Sequence, residues 1–399
     1  MSPVTDLLSL DQAQALVLER ARPLAPEAVP LAAAAGRILA EPALAAVDLP
    51  PFRSSAMDGY ALRSADTPGE LPVAFRIAAG APSTRALEAG EAMAIATGGV
   101  VPDGADAVVP HERVVEKDNV LSVPHRVEPG ANVRDPGRDV RVGDTVVAAG
   151  ARLSPQQIGA LAAAGVPEVT CARRPRVAVL TTGSELRPPG ASLEPGQIYE
   201  ANGVMVAAQL ETVGGIVTRL DAVADDESAH RAALEAGLEH DVLVTSGGVS
   251  VGPHDLVRRV EAELGVEEVF WRVAVRPGKP VAFGVRGSTL VFGLPGNSVS
   301  SLVSCELFVK PALLALQGAA TPGPLFLTGR LARAVERNPG RDDLVRARAV
   351  VDDDGVALHP LSGQESHMIV RAAEANALLH VPRGEGEVGA GANVRYVPI

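Results

Sequence analysis

The residue types best suited to chemistry lie in the segment Asp241–Asp255, which reads DVLVTSGGVSVGPHD. Residues 242–244 form a short apolar run typical of a strand buried on both faces of a parallel sheet. The small residues of 245–252 leave backbone N–H groups free to face an anion, and Asp255 begins the helical pattern that follows. This layout predicts a site for a phosphorylated ligand. A tight strand-to-helix connection with a capping aspartate is the alternative interpretation.

Two further strand-like runs end in the same kind of small-residue turn. The run 176–180 precedes Thr181-Thr182-Gly183-Ser184-Glu185, and the run 289–294 precedes Pro295-Gly296-Asn297-Ser298 and a long apolar helical stretch. Open α/β sheets bind ligands at the carboxyl ends of their strands. Residues 176–316 are therefore predicted to form an α/β domain with one ligand-binding edge.

Composition and charge exclude several classes of protein. The chain has 399 residues and a formal charge of −12, and no block rich in lysine or arginine predicts a nucleic-acid partner. The first residues lack the pattern of an export signal, and no uninterrupted apolar run is long enough to span a bilayer. Two cysteines are too few for a zinc site, and Cys305 lies in an apolar helical run. These features favour a reduced, cytoplasmic protein.

The segments that flank the α/β domain have a different pattern of predicted secondary structure. Helices are predicted at Leu10–Leu24, at Leu31–Leu39 and from Ser154, where Pro155 and Gln157 complete a capping pattern. Short β-like runs fill 45–150 and the chain after Pro322. Domain boundaries are predicted near residues 45, 150, 176 and 322.

Five motifs, in this order along the chain, resemble the MoeA family of molybdopterin molybdenumtransferases, which includes the C-terminal domain of gephyrin. They are Ser55–Ala61 (SAMDGYA), Ile95–Gly99 (IATGG), the TSGGVSVGPHD loop, Arg276–Pro280 (RPGKP) and Leu294–Asn297 (LPGN). The resemblance covers nearly the whole chain. It implies molybdenum insertion from molybdate into adenylylated molybdopterin with release of AMP, assisted by Mg²⁺.

The resemblance also implies an architecture and partners. A central open α/β molybdopterin-binding domain (176–322) is flanked by a β-rich domain (46–149), a discontinuous helical or linker domain (1–45 with 150–175) and a C-terminal β-barrel-like domain (323–399). The family forms elongated homodimers, so sites shared between subunits are expected. An adenylyltransferase and apo-molybdoenzymes are the implied protein partners, and neither nucleic acid nor a membrane is expected.

Site residues carry over by position. The matching catalytic candidates are Asp58, Glu185, Asp255 and Lys279. The matching binding candidates for molybdopterin and molybdate are Thr97, Gly98, Ser246, Gly247, Gly248, Ser250, Gly252, Arg272, Arg276, Pro295, Gly296, Asn297, Ser298 and Ser366.

Carboxylates are the expected magnesium ligands, because this ion binds through one or two carboxylates together with substrate phosphates and water. Asp255 pairs naturally with Asp225 or Asp226, since all three stand where strands give way to helices. Helix capping is an equal alternative for Asp225 and Asp226. Glu185 could cap a following helix, and Asp139 could pair with a neighbouring arginine.

Two positions depart from the family pattern. Ser298 replaces a second proline in the turn after the last parallel strand, and Glu365 stands in Gly363–His367 where glycine is more usual.

Adenylyl transfer from ATP to molybdopterin and a non-enzymatic, gephyrin-like scaffold are the alternative functions. The flanking β regions argue against adenylyl transfer, because the single-domain relatives that perform it do not have them. The scaffold function would require a long linker or an extra interaction segment, and the sequence shows neither. Molybdate and tungstate differ too little in size and charge for the sequence to choose between them.

Lysine is rare, which makes Lys279 informative: it occurs only at 117, 279 and 310, so 33 of the 36 basic residues are arginine. A compact ammonium is chemically different from a planar guanidinium. We therefore expect Lys279→Arg to impair molybdate-dependent turnover nearly as much as Lys279→Ala. Steady-state kinetics of both variants test this, and wild-type rates for the arginine variant would contradict it.

Overall fold

The computed structural model describes residues 7–223, 226–248 and 256–399. Its centre is a six-stranded sheet in which the first four strands are parallel and the fifth runs antiparallel to both of its neighbours. In spatial order the strands are Ile216–Arg219, Arg176–Thr181, Val242–Ser246, Thr289–Leu294, Ala282–Arg286 and Glu267–Trp271. Alternate residues of these strands enter two separate apolar cores, so the sheet is covered on both faces.

Helices pack on both sides of this sheet. They are Asn202–Glu211, Glu227–Gly237, Leu256–Glu263 and the stretch Ser298–Leu316, in which a π-helical turn at Cys305–Val309 joins Ser298–Ser304 to Lys310–Leu316. The 19-residue helix 298–316 is long and apolar enough to cross a membrane by length and composition alone, although Glu306 and Lys310 interrupt its apolar run. Most of it is buried among the sheet's own core residues, which is how a core helix looks.

The first β region is a half-barrel sheet whose strands are mostly short. In spatial order they are Ala107–Pro110, Gly59–Leu62, Ala92–Ile95, Gly69–Ile77, Val120–Val123 and Val115–Lys117. Its two faces build two apolar cores, and 3₁₀ turns at Ser64–Asp66 and His111–Arg113 connect the strands. The pair Ser54–Ser55 with Val133–Arg134 extends one edge of the region.

Two segments that are distant in sequence, one before and one after the half-barrel, pair with each other. Pro26–Pro30 pairs with Glu168–Ala172, Ala43–Leu44 pairs with Thr145–Val147, and the helix Pro155–Ala163 begins with the predicted capping box of Ser154 and Gln157. The predicted helix at 31–39 is wrong beyond a single 3₁₀ turn, Leu31–Ala33. The backbone of Leu39 instead bonds to Ala151, which shows tertiary pairing overriding alanine's helix propensity.

The helix Leu10–Arg20 packs against the α/β region and not against the residues 26–44 that follow it in the chain. Leu10, Ala13 and Val17 lie in the core beneath the α/β sheet, whereas residues 29–43 share a separate core with 147–171. The proposal of one discontinuous domain from 1–45 and 150–175 stays a prediction, and so do the bounds of the other three domains.

The C-terminal region closes into a five-stranded barrel, because Asp342–Asp352 pairs at its two edges with different neighbours. The ring order is Asp342–Asp352, Gly355–Pro360, Leu327–Leu331, Asn393–Pro398 and Ala377–Val381. A short helix, Ile369–Ala372, and a paired strand, Val335–Glu336 with Glu387–Val388, complete it. The predicted fold class, a central α/β unit with a β-rich unit and a C-terminal barrel, is confirmed.

Gly59 is a position where the fold leaves no room for a side chain. A Cβ atom there would lie 2.0 Å from the carbonyl oxygen of Val109 on the neighbouring strand. We expect Gly59→Ala to lower the free energy of unfolding by about 1–3 kcal/mol, because the two strands would have to separate. Thermal melting followed by circular dichroism measures this effect.

Gly159 supplies the matched control, since it is exposed within the helix Pro155–Ala163 and a Cβ there meets nothing within 4 Å. Gly159→Ala should raise stability by up to about 1 kcal/mol. An unchanged melting temperature for Gly59→Ala would contradict the close approach.

Candidate active site

The carboxyl ends of three parallel strands meet at one edge of the α/β sheet. Thr181, Ser246 and Leu294 lie opposite one another in adjacent strands. A cavity of about 480 Å³ opens at this edge and is lined by Thr181, Thr182, Ser246, Gly247, Gly248 and the turn 295–298. The three turns that were predicted separately from sequence are therefore brought together.

Gly247 and Gly248 form the described part of the glycine loop. Both have positive φ, and a Cβ on Gly247 would lie 2.7 Å from the carbonyl oxygen of Thr182. The N–H of Gly247 donates to Leu294 O at 3.1 Å, so it is not one of the donors predicted to face an anion. Ser250, Gly252, His254 and Asp255 lie outside the described residues.

Asn202, which the sequence did not single out, bridges two walls of this strand-end cavity. Its Nδ2–H₂ group donates to Ser246 Oγ at 3.0 Å and to the carbonyl oxygen of Gly296 at 2.7 Å. Asn202 is the first residue of its helix and makes no cap there. An amide at a helix start directly after a sheet edge is the signal that could have identified it.

Glu185 is exposed and lines the strand-end cavity. The alternative that it caps a following helix is wrong, because the next element is the strand Leu186–Arg187, which pairs with Ile198–Tyr199. The next helix begins only at Asn202. The position of Glu185 at the cavity is compatible with its candidate role.

A larger cavity of about 930 Å³ adjoins the first and shares Pro280, Pro295 and Asn297 with it. One side comes from the segment 276–280 and the other from the C-terminal barrel. Four cations line it, namely Arg276, Lys279, Arg333 and Arg341, together with three acids, Glu336, Asp343 and Glu365. The excess of cations suits an anionic ligand. Arg333 and Arg341 were missed from sequence because no local motif marks them.

The turn that carries Lys279 is fixed from both sides. Gly278 has a φ of 106°, and a Cβ there would lie 2.8 Å from Ser304 Oγ on the core helix. The carbonyl oxygen of Lys279 accepts from Val273 N–H at 3.0 Å. The Lys279 side chain is exposed, and within the ranges that the structure covers no carboxylate forms an ion pair with it. Its charge is therefore available to a ligand.

Ser366 joins the barrel to the last parallel strand's turn. Asn297 Nδ2–H donates to Ser366 Oγ at 2.9 Å, and Val299 N–H donates to Ser366 O at 3.1 Å. Asn297 is the N-cap residue of the helix that Ser298 begins, so the serine that replaces proline occupies the first helical turn, where proline is favoured. The structure therefore brings together three of the binding candidates that were named from the sequence, namely Asn297, Ser298 and Ser366.

Arg346 holds the loop that contains Ser366, and it too was missed. Its guanidinium is buried and donates to the carbonyl oxygens of Gly363 (2.7 Å), Met368 (3.0 Å) and Glu365 (3.3 Å). Burial lowers the pKa of Arg346, although Glu365 opposes the shift. A fixed positive charge thus lies directly behind the larger cavity.

Asp58 and Thr97 contact each other in the half-barrel. Asp58 Oδ1 accepts from Thr97 N–H at 2.6 Å and from Thr97 Oγ1–H at 2.9 Å. These bonds, first the backbone and then the side-chain one, lower the pKa of Asp58 and keep it ionised. Gly98 follows with a φ of 77°. Among the described residues, none from 46–149 lines either cavity.

Three other candidates lie apart from the two cavities. Arg272 has a φ of 79° and its guanidinium stacks on Trp271 at 3.7 Å from the ring centre. Asp139 is exposed, and no ion pair with an arginine is found for it in the described ranges. Asp226 caps the helix Glu227–Gly237, as the capping alternative predicted.

Asp226 caps its helix through Oδ1, which accepts from Ser228 Oγ–H at 2.7 Å and from Ala229 N–H at 2.8 Å. These bonds lower the pKa of Asp226. No group of three or more His, Cys, Asp or Glu side chains that could hold a metal occurs among residues 7–223, 226–248 and 256–399. Asp225 and Asp255 lie outside them.

Family models match three consecutive parts of the chain. Residues 8–165 match the MoeA N-terminal region (domain I and II), residues 178–315 match a probable molybdopterin binding domain, and residues 328–399 match the MoeA C-terminal region (domain IV). These three matches cover most of the chain.

Individual relatives agree with these matches. The chain is 35% identical to the molybdopterin molybdenumtransferase of Haemophilus influenzae over 98% of each chain. It is 36% identical to molybdopterin molybdenumtransferase 2 of Mycobacterium tuberculosis over 97% of this chain and 98% of that one. A crystal structure of the molybdopterin biosynthesis MoeA protein from Pyrococcus horikoshii superposes with a TM-score of 0.85 at 29% identity, covering 99% of this chain and 100% of that one.

Proposed function

The chain belongs to the MoeA family and is a transferase of molybdenum cofactor biosynthesis, and from this premise we propose that it inserts molybdenum from molybdate into adenylylated molybdopterin and releases AMP. Mg²⁺ assists the reaction. The cytoplasm is the proposed location, with the adenylyltransferase that makes the substrate and the apo-molybdoenzymes that receive the product as partners.

The observation that carries this proposal is the pair of adjoining cavities that share Pro280, Pro295 and Asn297. The strand-end cavity has the small residues and hydroxyls that suit a pyrophosphate and the organic part of the substrate. The larger cavity, with four lining cations, suits a dianion such as molybdate. Because the two share a wall, both substrates can react at one place.

Electrostatics explains why the cations are needed. A pyrophosphate and an oxyanion that approach closely in a partly dry cavity repel one another strongly. Lys279 lies in the segment between the shared residues and the barrel, so its ammonium can attract the oxyanion without first breaking an ion pair among the described residues. Fixed charges and donors of this kind favour a reaction in which negative charge is redistributed.

Among the described residues, Asp226 is the carboxylate that the sequence predicted as a magnesium ligand, and carboxylate oxygen is the ligand type this ion prefers. We propose Asp226 together with Asp225 and Asp255 as the residues that would hold the ion. When bound, it would neutralise charge on the phosphoanhydride.

Release of AMP tests the reaction. Purified protein given adenylylated molybdopterin and Mg²⁺ should release AMP only when molybdate is added, and sulfate should not substitute for it. Chromatography of the nucleotides measures the release. Equal AMP release without molybdate would overturn the proposed insertion, and formation of adenylylated molybdopterin from ATP would favour the adenylyltransferase alternative.

We further propose that each site is completed by a second subunit. Among the described residues, the side chain of Asp58 bonds only within the half-barrel, and none of that region lines either cavity. In a symmetric dimer each site would draw Asp58 from one chain and Asp255 and Lys279 from the other. This arrangement explains why an acid far from the cavities matches a catalytic position of the family.

Mixed dimers test the shared site. Asp58→Asn and Asp255→Asn homodimers should each be inactive, whereas a mixed dimer would have one site with both lesions and one intact site. Random re-pairing of equal amounts makes half the dimers mixed, so about a quarter of full activity should return. The same mixing of Asp255→Asn with Lys279→Ala should restore nothing, because both residues serve one chain's half of the site. No recovery for the first mixture, under conditions shown to exchange subunits, would refute sharing.

A further inference from the structure

Asp343 is an acid in a cavity that otherwise suits anions. It lies on the barrel strand Asp342–Asp352, and its side chain is 1% exposed. One carboxylate oxygen, Oδ2, pairs with the guanidinium of Arg276. The other, Oδ1, is buried and has no hydrogen-bond donor among the described residues. Within the described part of the chain, Arg276 is therefore the one cation that directly pairs with this buried carboxylate.

Arg276 can serve either Asp343 or a ligand. Its side chain is 54% exposed and lines the larger cavity, although its backbone is held beside Asp343 by strand pairing. An oxyanion that enters the cavity competes with Asp343 for the same guanidinium, because both are anionic acceptors of its N–H groups. Once Arg276 turns to the anion, a buried carboxylate remains without a counter-ion.

A carboxylate in that position favours its neutral form. Burial raises the pKa of Asp343 even while it is paired, against the opposing charges of Arg276 and Arg341, and Asp342 adds to the rise. Loss of the Arg276 partner can only raise this pKa further. The other ionisable groups that face the cavity are Lys279, Arg333, Glu336, Glu365 and His367.

We propose that Asp343 is a positioning residue that binds the guanidinium of Arg276 as long as no ligand occupies the larger cavity. When an oxyanion binds Arg276 in that cavity instead, Asp343 takes up a proton from solvent. This inference rests on the proposed function, in which molybdate binds there. Asp343 then sets both how strongly the cavity binds a dianion and how that binding depends on pH.

The direction of the pH dependence follows from linkage. Binding raises the pKa of Asp343, so protons are taken up between the pKa of the free protein and the higher pKa of the complex. Within that interval molybdate affinity should strengthen as the pH falls, by up to about tenfold per pH unit for one proton. Above it, ionised Asp343 keeps competing for Arg276 and binding stays weak.

Calorimetric titration of the full-length protein with molybdate tests this directly. Titrations at several pH values, each in two buffers of different ionisation enthalpy, give the affinity and the number of protons taken up. Wild type should take up as much as one proton. Asp343→Asn should take up none, and at the alkaline end of the series it should bind molybdate more tightly than wild type, because Arg276 has lost its competitor.

Glu336→Gln is the matched control, since it removes an exposed acid from the same cavity and should leave proton uptake as in wild type. If Asp343→Asn does not fold, Arg276→Gln gives a second test. In this variant no guanidinium can leave Asp343 when the anion binds, so binding should no longer change the pKa of Asp343 or take up a proton there.

The possible outcomes separate this inference from the proposed function. Molybdate binding that Lys279→Ala weakens, but that is accompanied by no proton uptake, would overturn the role of Asp343 alone. Uptake that persists in Asp343→Asn or in Arg276→Gln would also overturn it. Absence of molybdate binding in wild type, or binding unaffected by Lys279→Ala, would overturn the proposed oxyanion cavity and this inference with it.

Discussion

The larger cavity depends on a short backbone connection between the α/β region and the barrel. Val275–Arg276 runs beside Asp342–Asp343, and the N–H of Asp342 donates to Ala274 O at 2.9 Å. A second connection, from Asn297 and Val299 to Ser366, lies across the same opening. These few bonds set the spacing between the cations of the 276–280 turn and those of the barrel. The shape of the cavity is thus decided where two units meet rather than within either one.

Arg346 contributes a second constraint. A buried guanidinium normally pairs with a carboxylate, but this one is satisfied by three backbone carbonyls of the loop 363–368. The loop therefore has little freedom to move, since each departure would leave a buried charge without an acceptor. The same bonds leave the net positive charge uncancelled close to the cavity, so one residue both orders the wall and contributes to its potential.

Local patterns predicted well the elements that local physics determines. The three strand-and-turn units, the capping box at Ser154 and the apolar helix after Ser298 each depend on neighbouring residues, and each was found. The 31–39 segment failed because its backbone bonds go to residues more than a hundred positions away.

The parts of the site that sequence reasoning missed share one cause. Arg333, Arg341 and Asp343 reach the larger cavity through barrel strand order and the pairing with 275–276, which no short window of sequence contains. Asn202 and Arg346 act through side-chain bonds to distant backbone atoms. Long-range register, more than residue type, was the missing information.

The stacking around Trp271 gives the protein a built-in optical label. Trp271 is the single tryptophan of the chain, and its ring lies between the guanidinium groups of Arg258 and Arg272, 4.2 and 3.7 Å from its centre. Arg258 belongs to the helix that follows the glycine loop, and Arg272 is one of the ligand-binding candidates that the resemblance to the family implies. Intrinsic emission at tryptophan wavelengths therefore comes from one known place in contact with that helix. Any ligand that shifts either guanidinium should change the colour or intensity of that emission without an added probe.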